Sequence, residues 1–232
     1  MAAVVETTKQ ESVYERYLSQ LKTLATNAFK DHQLRSIGPG EGRWVIARKY
    51  PDGAWCSFYL TEIIVGIQNT VITHGDIAPC MFKGYGPPGD PLAAVRWVAT
   101  SNIVNYLEAK AASAFMERCS GLTTTFDVDV AAWEIEQRIK ERREDIDFDG
   151  IDVESDKQLA AWRQALCCLG EGWPWELVRS ELEHALNESG VDDVAELLYD
   201  IGEVPAPRLF YAQAACQKLL ELVEKQDKLE AV

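Results

Sequence analysis

Between Gly42 and Tyr85 the sequence alternates runs of aromatic and β-branched residues with turn signals, the pattern of adjacent antiparallel strands. The runs are GRWVIARKY, AWCSFYLTEIIVGIQ and NTVITHGDIAPCMFKGY. Pro51-Asp52-Gly53 joins the first two. Proline fixes φ at the first central position of a turn, and glycine accepts positive φ at low cost. Trp44 and Trp55 stand just inside these strands, where they are expected to face each other across the pair. His74-Gly75-Asp76 interrupts an apolar run and predicts a tight turn into a short fourth strand, Ile77 to Phe82.

Everything before and after this meander reads as helix. Val13, Tyr14, Tyr17, Leu18, Leu21, Leu24 and Ala28 recur at helical spacing between Ser12 and Lys30. Ser12 with Glu15 three positions on forms a capping box. Beyond the loop Gly84 to Pro91, the residues from Pro91 to Met116 predict one long helix or two broken ones. Thr125 or Asp127 can cap the next helix, which runs to about Arg143. Further helices are expected over Lys157–Leu169, Pro174–Asn187, Asp192–Tyr199 and Pro207–Lys225, with Gly170 and Gly172 ending the first of these.

The fold class is therefore α+β: a small antiparallel sheet of three to four strands packed with helices, plus an acidic helical lobe. The expected division is 1–120 as an α+β domain, 121–204 as the acidic lobe, and 205–232 as a helix packing back on the first domain. Hydrophobic residues make up 47% of the 232, enough for a real core. No apolar run approaches the roughly 20 residues of a membrane span. The N-terminus MAAVVETTKQ lacks the pattern of a secretory signal. Cys56, Cys80, Cys119, Cys167, Cys168 and Cys216 contain no CxxC pair and read as buried free thiols in a reducing cytoplasm.

Charge is the second constraint. The net charge is −14, yet residues 121–204 hold 22 acids against 7 bases, leaving 15 acids and 16 bases elsewhere. So local an excess points to an acidic surface on one part of the molecule. Acids on exposed helix faces can imitate the charge row of a nucleic acid and compete for a basic groove. Glu134, Glu141, Asp192 and Glu196 are the expected partner-binding residues. The competing reading is an ordinary solvated face.

Two other constellations carry possible chemistry. His74 and Asp76, with Arg43, Arg48 and Arg96, can form a pocket that sequesters or processes a small nucleotide; a structural turn with salt-bridged sheet edges is the rival. The run Asp145 to Asp156 nearly fits the calcium loop D-x-[DN]-x-[DN]-G-x₅-E and resembles an EF-hand loop over those twelve residues. That resemblance implies calcium bound by Asp145, Asp147, Asp149, the Ile151 carbonyl and Asp156, with Gly150 at the sharp turn. The last position is a shorter Asp in place of Glu, and no second loop pairs with it. A solvated acidic linker is the alternative. No serine-hydrolase elbow, zinc-protease helix or phosphate loop occurs. The near-neutral balance outside the acidic segment declares no direct nucleic-acid footprint.

Gly75-Asp76, Arg96-Trp97 and Arg208-Leu209-Phe210-Tyr211-Ala212 occur in an order that resembles a loosely related group of tailed-bacteriophage accessory proteins of unassigned function. The resemblance spans about 42–110 and 205–225 and leaves the acidic segment unmatched. It implies a phage origin and action in the host cytoplasm during infection, and brings no catalytic residue. Together these readings predict a non-enzymatic inhibitor of a host defence complex with a basic surface, such as a CRISPR effector. The alternatives are the nucleotide pocket protein and a calcium-linked structural module.

Overall fold

The structure is a computed structural model, and it describes residues 12–37, 42–75, 80–83, 89–114, 124–149 and 153–230. In chain order the elements are α1 (Val13–Phe29), β1 (Gln33–Ile37), β2 (Arg43–Lys49), β3 (Trp55–Val65), β4 (Val71–Gly75), β5 (Cys80–Phe82), α2 (Pro91–Thr100), α3 (Glu108–Ala114), β6 (Thr124–Phe126), α4 (Val128–Asp149), α5 (Val153–Gly170), α6 (Trp175–Glu188), α7 (Val194–Leu197), β7 (Glu203–Pro205) and α8 (Pro207–Glu230). The protein is α+β. Strands β1 to β5 form one antiparallel meander in sequence order, and β6 pairs with β7. No helix among the described residues is long and apolar enough to cross a membrane. The chain divides into two compact units, one of Met1–Glu15 and Phe126–Val204, the other of Arg16–Thr125 and Pro205–Val232.

The sheet has five strands where the sequence predicted three or four. The additional strand is β1, whose residues pair with β2 from Gln33↔Ala47 to Ile37↔Trp44. The β2–β3 turn forms as expected: the Tyr50 N–H donates to Ala54 O at 2.8 Å, and Asp52 Oδ1 accepts from Ala54 N at 3.0 Å. The two tryptophans do not face each other. Trp44 lies opposite Ile63 and Trp55 opposite Lys49, because in an antiparallel hairpin the first residues of β2 pair with the last of β3 while Trp55 sits beside the turn. Trp55 instead takes the Lys49 ammonium over its ring at 4.7 Å. His74 and Gly75 belong to β4 itself and not to a turn, while Asp76 lies outside the described residues.

One sheet face carries Trp44, Ile46, Ile63, Val71, Cys80 and Phe82 into the core of this unit. Ala25 and Phe29 of α1, Val95 and Val98 of α2, and Leu209, Ala215 and Leu219 of α8 fill the other side. Burial of each large apolar side chain contributes about 1.5–3 kcal/mol. Helix α8 is further fixed by hydrogen bonds to helix ends. The Gln213 amide donates to Val98 O at 3.0 Å and Ser101 O at 2.7 Å, and Gln217 donates to Ala99 O at 2.8 Å. Lys218 Nζ donates to Lys30 O at 3.1 Å. These carbonyls, at the ends of α2 and α1, have no intrahelical partner of their own.

The run after Pro91 is broken, not continuous. Helix α2 starts on the Asp90 cap, whose Oδ1 accepts from Ala93 N at 2.9 Å. It stops at Ser101, whose hydroxyl turns back to Trp97 O at 2.6 Å, and a π-helical turn over Ile103–Leu107 leads into α3.

In the other unit α4, α5 and α6 surround Ile135, Trp162, Ala165, Leu169, Leu182 and Leu186. Asp127 supplies the α4 cap through Oδ1, accepting from Asp129 N and Val130 N at 3.0 Å each. Helix α4 continues to Asp149, six residues past the predicted end.

Candidate functional site

A long acidic run lies at the end of the helical unit. From Glu171 to Val204 there are ten acids and one base, Arg179. Eight of the ten are exposed, with Glu183 and Glu203 half-buried. None of the ten pairs with a lysine or arginine among the described residues; Glu188 meets only the exposed His184, at 3.4 Å. Of the other six bases between 121 and 204, Arg138, Lys140, Arg142 and Arg143 lie within two turns of α4, and Lys157 and Arg163 lie on α5.

The geometry of α6 explains why its acids stay solvated. Val178, Leu182 and Leu186 form its buried stripe. At 100° per residue, Glu181 and Glu188 fall on one flank of that stripe and Glu176 and Glu183 on the other. Each pair is seven residues apart, about 10 Å along the helix. The carboxylates therefore form two rows bordering the packed face.

The four expected partner-binding residues divide. Asp192 and Glu196 are exposed. Glu141 is exposed and 3.8 Å from Arg138 Nη1, so its charge is partly offset. Glu134 is half-buried and acts within the fold: its Oε2 accepts from Gly202 N at 2.7 Å. Burial pushes the Glu134 carboxyl up from its ordinary range, while the Gly202 hydrogen bond and the Arg138 charge pull the other way. Glu134 is thus a structural ligand of the turn before β7, and its assignment to a free acidic surface is corrected. Glu134, Glu141 and Glu196 nonetheless line one groove of about 360 Å³, with Trp133, Arg138 and Asp200. Asp192 is not among its lining residues. Asp200, four residues beyond Glu196, is the member that sequence reasoning missed.

On the sheet, the described residues among those expected to hold a nucleotide do not all converge. Arg43 and His74 meet through a residue the sequence reading overlooked, Glu62. The Glu62 side chain is only 9% exposed, and Oε2 lies 2.6 Å from His74 Nε2. Its Oε1 accepts from Arg43 Nε. His74 and Arg43 are themselves 42% and 53% exposed. Arg48 projects from the opposite sheet face and donates to Ala28 O at 2.8 Å. Arg96 is exposed on α2, and Asp76 lies outside the described residues. The arginine and histidine expected in a nucleotide pocket thus already serve a carboxylate.

The calcium loop is corrected as well. Asp145, Asp147 and Asp149 are part of α4, not of a loop. Asp156 lies within α5, and Gly150 and Ile151 lie outside the described residues.

Of the cysteines, Cys56, Cys80, Cys168 and Cys216 are buried free thiols, whereas Cys167 is exposed. Cys119 lies outside the described residues. Burial pushes the Cys80 thiol up to about 12 and raises Cys216 further. The Glu171 carboxylate, 3.8 Å away, raises Cys167. All three are held as thiols, away from the thiolate form that reacts.

Compared with known proteins, the chain matches no family model, no curated protein and no solved structure.

Proposed function

We propose that the chain is a non-enzymatic binding protein whose acidic helical surface occupies the basic, nucleic-acid-binding face of a partner protein complex. The carrying observation is the run from Glu171 to Val204, ten acids to one base with no lysine or arginine paired to any of them among the described residues. Unpaired, solvated carboxylates on a packed helical scaffold retain their field. They steer a basic partner on approach and match it on contact. A host defence complex such as a CRISPR effector is the partner class expected from the phage resemblance, with the host cytoplasm as the place of action.

The test is competition. Wild-type protein and a variant carrying Glu181→Lys, Glu188→Lys, Asp192→Lys and Glu196→Lys are added to a CRISPR effector and its target duplex. The wild type should displace the duplex and lose potency steeply with added salt. The variant should not compete. Equal displacement by both proteins, or no salt dependence, overturns the reading for this surface.

A further inference from the structure

Trp55 carries two cations. The Lys49 ammonium lies 4.7 Å, and the Arg35 guanidinium carbon 5.9 Å, from the centre of its ring. Both cations stand where the sheet is irregular. The β1–β2 register shifts between Leu34 and Ser36, at Arg35, and the β2–β3 register shifts between Ala47 and Lys49. Such shifts re-aim side chains and recur beside functional sites. Here side chains from three adjacent strands meet at one indole. Arg35 and Lys49 are exposed and Trp55 is half-buried. Edge strands use charges to discourage pairing with other chains, but Lys49 belongs to β2, which has a neighbour on either side. Among the described residues neither cation has a carboxylate partner. The two described acids of the meander are engaged elsewhere. Glu62 serves Arg43 and His74, and Asp52 accepts from Ala54 N in the β2–β3 turn.

We infer that Arg35, Lys49 and Trp55 form a binding site for a single-stranded nucleic acid, the two cations taking backbone phosphates and the indole an unpaired base. Cations set beside an aromatic ring are how sequence-tolerant single-strand sites are built. Two like charges gathered at one ring repel each other, and phosphate relieves that repulsion. Cation–π contacts are weak at exposed sites, so both long side chains can turn to phosphate and leave the ring face to a base. A duplex keeps its base faces stacked inside, and a plain carboxylate surface would use the cations and leave the ring idle. The net charge of −14 does not extend to this part of the chain. Arg16–Thr125 with Pro205–Val232 hold 15 bases and 12 acids, and charges beyond about 8 Å are largely screened at physiological salt. The near-neutral total had concealed this local pair. The site lies outside the acidic segment, and the inference does not rest on the function proposed above.

The experiment uses the whole chain and a fluorescent oligothymidylate, with anisotropy read at several salt concentrations. Wild type should bind, and its affinity should fall as salt rises. The double variant Arg35→Gln, Lys49→Gln should bind at least about tenfold more weakly. Its log–log salt slope should be shallower by about 1.4, the share of two phosphate contacts to a single strand. Trp55→Leu should weaken binding at least about fivefold and leave the slope unchanged. The Arg35/Lys49 variant, altered only at exposed side chains, carries the test if Trp55→Leu fails to fold. The control Lys22→Gln, Arg96→Gln removes the same charge from exposed positions on α1 and α2 and should bind as wild type does. No binding by wild type, full binding by the Arg35/Lys49 variant, or an equal loss in the control overturns the inference. A matched duplex bound as tightly as the strand overturns it too. So does thymidine monophosphate that displaces the strand at equal nucleotide concentration, since the ligand is then a free nucleotide. None of these outcomes bears on the acidic surface, which the effector competition tests separately.

Discussion

Glu62 and His74 stand directly opposite each other on β3 and β4, with carboxylate Oε2 2.6 Å from imidazole Nε2, and Arg43 takes the other oxygen from β2. Three strands are thereby tied through one mostly buried side chain. Glu62→Gln keeps the size and removes the charge from both hydrogen bonds. Charge-assisted bonds contribute more than neutral ones, but both partners here are half-exposed and can return to water. The expected loss is about 1–2 kcal/mol by chemical denaturation. His74→Gln should cost less than 1 kcal/mol, roughly, because Arg43 still satisfies the carboxylate. An unchanged denaturation midpoint for Glu62→Gln would show that the row is ornamental to stability.

Gly75 should be intolerant of any side chain. Its φ is +121°, and a Cβ there would fall 2.1 Å from the carbonyl oxygen of Leu60 on the paired strand. The carbonyl belongs to sheet backbone and a Cβ is held rigidly by its own Cα, so neither can move without breaking the β3–β4 register. Gly75→Ala is expected to cost more than about 3 kcal/mol, through strain and disrupted pairing. Gly53→Ala provides the contrast: φ is +85° but no atom lies within 4 Å of its Cβ. It should cost about 1 kcal/mol, the conformational term alone. Thermal unfolding of the two variants side by side separates steric from conformational cost.

What the sequence reveals here is mostly local. The Ser12–Glu15 capping box is present in both directions, at 2.9 and 3.1 Å, because its partners are three residues apart and a helix brings them together. The Pro51–Gly53 turn and the Asp127 cap are legible for the same reason. Strand β1 is not. Gln33–Ile37 holds only two large apolar residues, and its extended form comes from pairing with β2. Glu62 looks like an interruption in an apolar strand until the sheet register places Arg43 and His74 beside it, 19 and 12 residues away. At Asp145–Asp149 the local motif misleads. Continuing a formed helix adds one hydrogen bond per residue, and no ion is required for it. The acidic excess was visible as a total, yet only the packing of α6 shows which of its carboxylates stay in water, and only the Gly202 hydrogen bond shows that Glu134 on α4 serves the fold.

Gln213 offers a test of how α8 is held. It is buried, and its amide donates to two carbonyls at the end of α2, Val98 and Ser101. Gln213→Ala leaves both acceptors without that donor and should cost about 1–3 kcal/mol. Gln213→Glu should cost more despite its similar size. It replaces a donor with a carboxylate facing two carbonyl oxygens, an arrangement with no attractive pairing. The order wild type, Ala, Glu in falling denaturation midpoint is the expected result. A Glu variant as stable as wild type would mean that the α2–α8 contact relies on apolar packing alone.

Glu134 makes a prediction in which pH changes how a variant compares with the wild type. Burial raises its carboxyl above the ordinary value of 4.5, by more than the Gly202 hydrogen bond and Arg138 lower it. Between the ordinary and the raised value, the folded protein keeps a proton that the unfolded chain has released. Stability from this group is therefore greatest at low pH, falls as pH rises through that window, and is flat above it. Glu134→Gln retains an acceptor for Gly202 N and carries no titrating charge. Relative to wild type its stability should rise with pH from about pH 4 and level off above the raised value, ending neutral or slightly stabilising near pH 7. Glu134→Ala removes the acceptor and leaves the buried Gly202 N–H without it, so it should be less stable than Glu134→Gln by about 1–2 kcal/mol at every pH. Denaturation curves of the three proteins across that pH range decide the matter. A Glu134→Gln difference that does not vary with pH would place the carboxylate in water, and would restore Glu134 to the free acidic surface from which its hydrogen bond removes it.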